Sequence, residues 1–428
     1  MQRSVIQLIF YEGKMKNFAV LLALCFMLQP LCMFANEEGS DLPEEHEISE
    51  IVKEPFRIKD RAFEIGLLQT KVIVSNNHFT PGQIFTDKLI IDINEFINDF
   101  KINFSLNLVP FYFTYTKGGL WGFGLSLGVD AIGMLRISEN VIALDDAVRD
   151  SSHLGGAMFT EAKLSCFFTL RNLKIKINPS LFYPVMYIDD ESALSYTLDS
   201  KTNDKVINIG YKLLMYTAFP FKSDDPFRLT ALPGADFHLG VEYPLSKALG
   251  MQEKNGFHSF IMGLDLVNIP MVPSKMKNYM ELTGQIGSDE PISLDGFDSD
   301  FFSMNDPVYG NKNKTVLRPL KTLAWIDWKP SKTTPINFIS TVGFALNPIY
   351  DKPVSMEGGV KVRFAPANLF IASFGMGYHD RLWINSLEMA LNLRFFELNL
   401  GIDMCSQSFV KSWQGSGLGL YLGFKFGA

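Results

Sequence analysis

An all-β fold, a transmembrane antiparallel barrel of about 14 strands with a short helical plug or rim segment, is the architecture this sequence predicts. Three observations predict it. Apolar residues recur at every second position in segment after segment, the composition is greasy without a spanning helix beyond the N-terminus, and the connections alternate between short and long. Side chains on a strand point to opposite faces in turn, so a period of two means a sheet with one apolar face.

The composition narrows the class. Of 428 residues, 47% are hydrophobic and 13% aromatic, with 37 Phe. The charged fraction of 20% lies below the roughly 25% of soluble domains. A net charge of -7 excludes a nucleic-acid partner, because phosphate binding needs a basic patch.

Residues 1–35 read as a signal peptide, with translation expected to start at Met15. Met15-Lys16-Asn17 supplies the basic start, Phe18 to Leu28 the apolar core, and Ala35 the small residue before the cut. An acidic periplasmic leader at 36–60 follows, and the barrel occupies 61–428. Cys25 and Cys32 leave with the signal; Cys166 and Cys405 are too few for a disulfide framework.

Strands are expected at 62–74, 101–116, 120–131, 156–170, 173–188, 234–245, 258–268, 317–328, 335–346, 357–365, 369–378, 385–395, 396–405 and 416–427. The last is the clearest: Leu418, Leu420, Leu422, Phe424 and Phe426 alternate with Gly419, Tyr421, Gly423 and Lys425. In 385–395, Leu387, Met389, Leu391, Leu393 and Phe395 share one face. Runs of about 9–11 residues suffice to cross a bilayer as tilted strands. With fourteen strands both chain ends fall at the short-turn end, 246–257 being the longest connection there and 379–384 one of the opposite loops. From Phe111 to Tyr115 both faces are aromatic or polar-aromatic, and the outward one is not legible. Trp121, Trp325, Trp328, Trp383 and Trp413 fall mostly near strand ends, where amphipathic rings favour a membrane interface. A secreted β-sandwich would alternate similarly, but its solvent face would carry fewer Gly, Tyr and Phe.

Three segments depart from the strand pattern. In 86–100, Leu89, Ile93, Ile97 and Phe100 repeat at helical spacing, which suits a lumen plug or a rim cap. The external loops 189–233 and 270–316 hold apolar residues that a solvated loop does not need. Leu213, Met215 and Phe219 in the first, with Met271, Phe301 and Phe302 in the second, are the candidate ligand-binding residues. Either they form a greasy cleft or they pack on each other and close the barrel. The acidic run Asp295 to Asp300 lacks the closing Glu of a calcium loop, so a solvated loop is favoured and no metal is expected. His78, His153, His238, His258 and His379 belong to no local catalytic motif. The chain is therefore read as a non-enzyme without cofactors, an outer-membrane lipase assembled across strands being the alternative.

The strand count, the N-terminal helical segment and the long third and fourth loops resemble the long-chain fatty acid transporter (FadL-like) family of outer-membrane barrels. The resemblance implies a plugged lumen, a hydrophobic groove built by loops three and four, and a lateral opening at a kinked third strand. Gly122, Gly124 and Gly128 of the span 120–131 stand where that lateral gate would be. It implies passive uptake of hydrophobic small molecules such as long-chain fatty acids. A structural or adhesive surface barrel is the alternative. The expected partners are outer-membrane lipids, the hydrophobic ligand and the barrel assembly machinery, and the expected location is the bacterial outer membrane.

Overall fold

The computed structural model describes residues 62–76, 101–117, 120–136, 153–189, 191–199, 206–220, 229–250, 258–287, 302–331, 333–350, 353–366, 369–393 and 395–427. The signal peptide, the acidic leader, the helical segment 86–100, the acidic run at Asp295 and Phe301 lie outside the described residues. The strands are Phe63–Asn76 (β1), Lys101–Lys117 (β2), Trp121–Arg136 (β3), His153–Leu170 (β4), Leu173–Ile188 (β5), Ala193–Asp199 (β6), Val206–Thr217 (β7), Gly234–Pro244 (β8), Ser259–Val272 (β9) and Ser274–Gly287 (β10). They continue with Phe302–Met304 (β11), Val308–Val316 (β12), Leu320–Lys329 (β13), Ile336–Leu346 (β14), Val354–Phe364 (β15), Phe370–His379 (β16), Leu382–Leu393 (β17), Phe396–Ser406 (β18) and Gly417–Gly427 (β19). Two short helices, Leu245–Ala248 (α1) and Phe409–Trp413 (α2), lie in connections. Among the described residues no helix is long and apolar enough to cross a membrane.

Fourteen of these strands close a ring in the order β1, β2, β3, β4, β5, β8, β9, β13, β14, β15, β16, β17, β18, β19 and back to β1, each neighbour antiparallel. One sequence-read span falls on each ring strand. The β1–β19 seam, from Glu64↔Gly427 to Ser75↔Gly417, shuts the barrel and sets both ends of the wall at the short-turn rim. The fold is a transmembrane antiparallel barrel.

Side chains partition as the alternation demands. Leu387, Met389, Leu391 and Leu393 on β17, Leu418, Leu420 and Phe426 on β19, and Trp121, Phe123, Leu125 and Leu127 on β3 are exposed on the outside. Phe338, Val342 and Phe344 on β14 and Val354, Met356, Val360 and Val362 on β15 continue the belt. An apolar surface this extensive exceeds what a water-exposed monomer carries and fits hydrocarbon. At the short-turn end aromatic rings gather, with Phe63 5.0 Å from Phe113, Tyr115 5.7 Å from Trp121 and Trp328 5.3 Å from Phe338 between centroids.

Bulges decide the face where the sequence was ambiguous. In β2 the register shifts between Leu108 and Phe111, so Ile102 to Leu108 face out at even positions and Phe111, Phe113 and Tyr115 at odd ones. Tyr112 turns inward and donates its hydroxyl to Glu64. In β1 a matching shift between Leu67 and Thr70, with Leu68 at φ 50°, makes the same exchange of faces. Each bulge inserts one residue and so flips every later side chain.

Several expectations are corrected. The connection read at 379–384 shrinks to Asp380-Arg381, both left-handed at φ 47° and 65°, because β16 and β17 pair up to His379↔Leu382. Positive φ at both central residues is what a two-residue hairpin needs to follow the strand twist. Trp325 is not interfacial: it is buried inside the barrel and donates its indole N–H to Asp265 at 2.6 Å. The ring lies over Gly263, where a side chain would occupy its place. Finally, 189–233 and 270–316 are not simple loops, since they contain β6, β7 and β10 to β12.

The partition is testable on neighbouring residues of β19. Leu420→Arg is expected to lower the folding free energy in phospholipid vesicles by about 2–4 kcal/mol, the cost of a cation on the lipid face. Tyr421→Arg, on the lumen face, should cost far less. Urea unfolding followed by tryptophan emission measures both, and equal small effects would contradict a lipid-facing wall.

Candidate functional site

The mouth at the long-loop end is built first by sheet. β7 pairs with β10 from Asn208↔Gly287 to Thr217↔Asn278, with β6 on its other edge, and with the end of β5 at Met186↔Thr217 to Ile188↔Met215. β12 pairs with β10 from Ser274↔Val316. The connections between β5 and β8 and between β9 and β13 therefore form one sheet that continues the wall strands.

Both faces of β7 are buried, which is why its sequence Leu213-Leu214-Met215-Tyr216 is apolar without alternation. Leu214 and Tyr216 join a cluster with Ala157 and Phe159 of β4 and Phe182 of β5, all on the inward face of the wall. Leu213 and Met215 lie on the opposite face, across from Leu282 and Met280, which are also buried. The sheet thus packs over inward-facing wall residues and narrows the mouth on that side. Burying each large apolar side chain contributes about 1.5–3 kcal/mol.

A strap completes the cover. Asn347, Ile349 and Tyr350 in the connection from β14 to β15 are buried, and Ile349 joins the same cluster. His153 Nε2 donates to the Ile349 carbonyl at 2.7 Å, and Asn347 Oδ1 accepts from the Ile349 N–H at 3.1 Å. Since β4 stands five ring positions from β14, this contact reaches far around the mouth.

Beneath the cluster lies a buried arginine. Arg318, in the short link from β12 to β13, donates from Nε to Asp236 Oδ2 at 2.7 Å and from one terminal nitrogen to Asp236 Oδ1 and the Ser180 hydroxyl at 2.6 Å each. Its other terminal nitrogen binds Glu161, and its guanidinium lies 5.2 Å from the centroid of the Phe182 ring. Asp130 of β3, which accepts from Asn107, is 4.0 Å away. One residue thereby ties four wall strands to the base of the loop sheet. The bidentate grip on Asp236 uses the planar fork that lysine lacks.

Further charged pairs line the lumen. Lys176 and Lys174 meet Glu242, the latter pair at 3.3 Å, and His238 Nε2 donates to Asp265 at 2.9 Å while Nδ1 accepts from Asn178 at 3.2 Å. Lys321 bridges Glu357 and Asp380 at 3.2 Å each, Lys361 reaches Glu388 at 3.1 Å, and Lys71 reaches Asp403 at 2.9 Å. Gly419 leaves room for the last pair, as a side chain there would run into Asp403 and Ile73. Among the described residues no group of His, Cys, Asp and Glu is placed to hold a metal ion.

The candidate ligand residues do not share one surface. Leu213 and Met215 are inside the loop sheet, whereas Phe219 and Met271 are exposed at its margin beside Leu229, Leu232 and Val272. Phe302 is placed in β11, opposite Ile286, by its backbone alone. Gly122, Gly124 and Gly128 all face inward on β3, which stays in unbroken register with β4. The adjacent irregularity belongs to β2, whose shift between Leu108 and Phe111 lies opposite Gly128. Sequence reading missed Arg318 and the strap because neither carries a local signal: a lone arginine before Pro319 and an Asn-Pro-Ile-Tyr turn gain meaning only from distant partners.

No protein-family model and no curated protein matches this chain. Among solved structures, it is similar to the Pseudomonas putida toluene transporter TodX at 10% identity and TM-score 0.47, covering 86% of this chain and 89% of that one. The Ralstonia pickettii toluene transporter TbuX matches at 9% identity and TM-score 0.42, over 85% and 88% of the two chains. Pseudomonas aeruginosa OccK9 matches at 11% and 0.23, over 86% and 98%. Likeness at this level leaves the closed register of the ring itself as the ground for the fold.

Removing Arg318 should strand carboxylates in a buried site. Arg318→Met is expected to cost about 3–5 kcal/mol, the usual penalty for uncompensated buried charge. Adding Asp236→Asn and Glu161→Gln should recover most of that loss. Unfolding midpoints of the single and triple variants decide it, and a single-variant loss under about 1 kcal/mol would mean that water already solvates the cluster.

Proposed function

We propose that this chain is a bacterial outer-membrane barrel for passive uptake of hydrophobic small molecules, long-chain fatty acids being one such class, delivered after removal of a signal peptide at Ala35. The observation that carries the proposal is an apolar-cored sheet over the mouth of a lipid-facing barrel, with exposed Phe219, Leu229, Leu232 and Met271 at its margin. Apolar solutes would settle on that margin through the hydrophobic effect and need no covalent step. A lumen lined with ion pairs is a poor path for an apolar solute, which supports release sideways through the wall. The side-by-side bulges at Leu68 in β1 and at Val109-Pro110 in β2, next to Gly128, support an exit there, since Pro110 has no N–H to give the seam. Gly122, Gly124 and Gly128 would then serve as inward clearance.

A second reading, a structural or adhesive surface barrel, is favoured by the loop sheet being packed on both faces of β7 and strapped through Ile349. Uptake separates the two. Purified protein in liposomes is expected to speed entry of a fluorescent long-chain fatty acid and of toluene over empty liposomes. Phe219→Asp and Met271→Asp, at exposed positions that should spare folding, are expected to slow entry several-fold. Entry no faster than in empty liposomes, with the barrel folded, would leave the structural reading.

A further inference from the structure

On the outward face of the wall strands three polar side chains among the described residues, Thr70, Asn385 and Ser406, are nevertheless buried, and Asn385 is the largest of them. On β17 the outward set is Trp383, Asn385, Leu387, Met389, Leu391 and Leu393, and Asn385 pairs with outward Met404, which pairs in turn with outward Leu418. Asn385 is only 2% exposed. An amide facing hydrocarbon would cost several kcal/mol without a partner. The cover is α2, which folds back from the end of β18 onto the outside of the barrel: the Ser412 hydroxyl accepts from Asn385 Nδ2 at 2.9 Å. The same hydroxyl donates to the Phe409 carbonyl at 2.6 Å, so the amide nitrogen has its partner while the buried Asn385 Oδ1 has none among the described residues.

The rest of α2 continues the apolar surface. Trp413 lies 6.2 Å from the ring of outward Phe374, and Phe409 lies 5.1 Å from Trp383, which is itself 5.2 Å from Tyr378. Away from the wall, Phe409, Val410 and Trp413 remain 44%, 64% and 46% exposed. The site is just below the rim, since the Asp380-Arg381 turn is four residues before Asn385, about 13 Å along a strand.

We propose that α2 is an interfacial anchor whose partner is the bilayer itself, with Phe409, Val410 and Trp413 seated at the acyl and headgroup boundary of the leaflet on the long-loop side. The occupant follows from continuity: Trp413 and Phe409 extend the lipid-facing belt from outward Phe374 and Trp383, with Val410 between them, and aromatic rings at this depth favour the interface. A water-exposed turn would have no reason to present three large apolar groups outward while sealing an amide beneath. The inference rests on the membrane reading of the belt, and its test separates the two.

Full-length protein reconstituted in phosphatidylcholine vesicles, with bromine carried near the headgroup end of the acyl chain, reports tryptophan contact with lipid. The share of each tryptophan is read as the difference between the parent and Trp413→Phe or Trp121→Phe. Both shares are expected to be quenched by brominated lipid, and the Trp413 share should resist aqueous iodide. Val410→Asp should shift the Trp413 share towards iodide quenching while heat-modifiable gel migration is kept. Quenching of the Trp121 share by lipid and of the Trp413 share by iodide alone would overturn the anchor and leave the membrane reading. Shielding of Trp413 from both quenchers would overturn it in favour of a second protein copy. Failure of lipid to quench either would sink both readings.

Discussion

Backbone hydrogen bonding in hydrocarbon is the constraint on which the rest of this structure depends. A strand in lipid has no water to satisfy its N–H and C=O groups, so the sheet must have no edge there. The β1–β19 seam removes the last one. Once the ring is closed, alternation sends every second side chain to lipid and the others to the lumen. The irregularities of the described wall come in small steps: one extra residue each in β1, β2 and β5 and two separate ones in β9, with Pro110 placed where the ladder is already shifted.

Closure creates a second problem, because the inward half of each strand is now enclosed. Among the described residues, charge pairs occupy much of that space. The lysines around Glu242 bind across adjacent strands, whereas Lys71 with Asp403 and Lys361 with Glu388 each reach over one intervening strand. At the mouth the interior becomes apolar, where Phe159 and Phe182 meet Leu214 and Tyr216. Arg318 stands at that border, with its charged edge on carboxylates and its flat face near Phe182. Polar barrel and apolar lid are thereby joined by one side chain suited to both.

The division has a functional sense. Under the uptake proposed above, a solute that prefers the lid's margin is poorly served by the lumen below it, so capture and passage become distinct problems. The outer surface shows a related economy at α2, where one serine hydroxyl takes the amide N–H of a buried outward asparagine.

The sequence by itself determined the class, the number of wall strands and their approximate spans, because all three rest on period-two patterning and connection length, which are local. It determined the outward faces of β17 and β19 for the same reason. It did not determine the faces of Phe111 to Tyr115, since a bulge changes the parity without any residue announcing it. Nor did it separate wall from lid: β7 and β10 are strands of the same composition as their neighbours, and only their pairing with each other takes them out of the ring. The partners of Arg318 in strands up to 188 residues away, the reach of Ile349 to His153, and the burial of Asn385 under Ser412 were decided by tertiary structure alone. Each is a contact between residues whose separate surroundings in the chain are unremarkable, and ring closure is what sets them side by side.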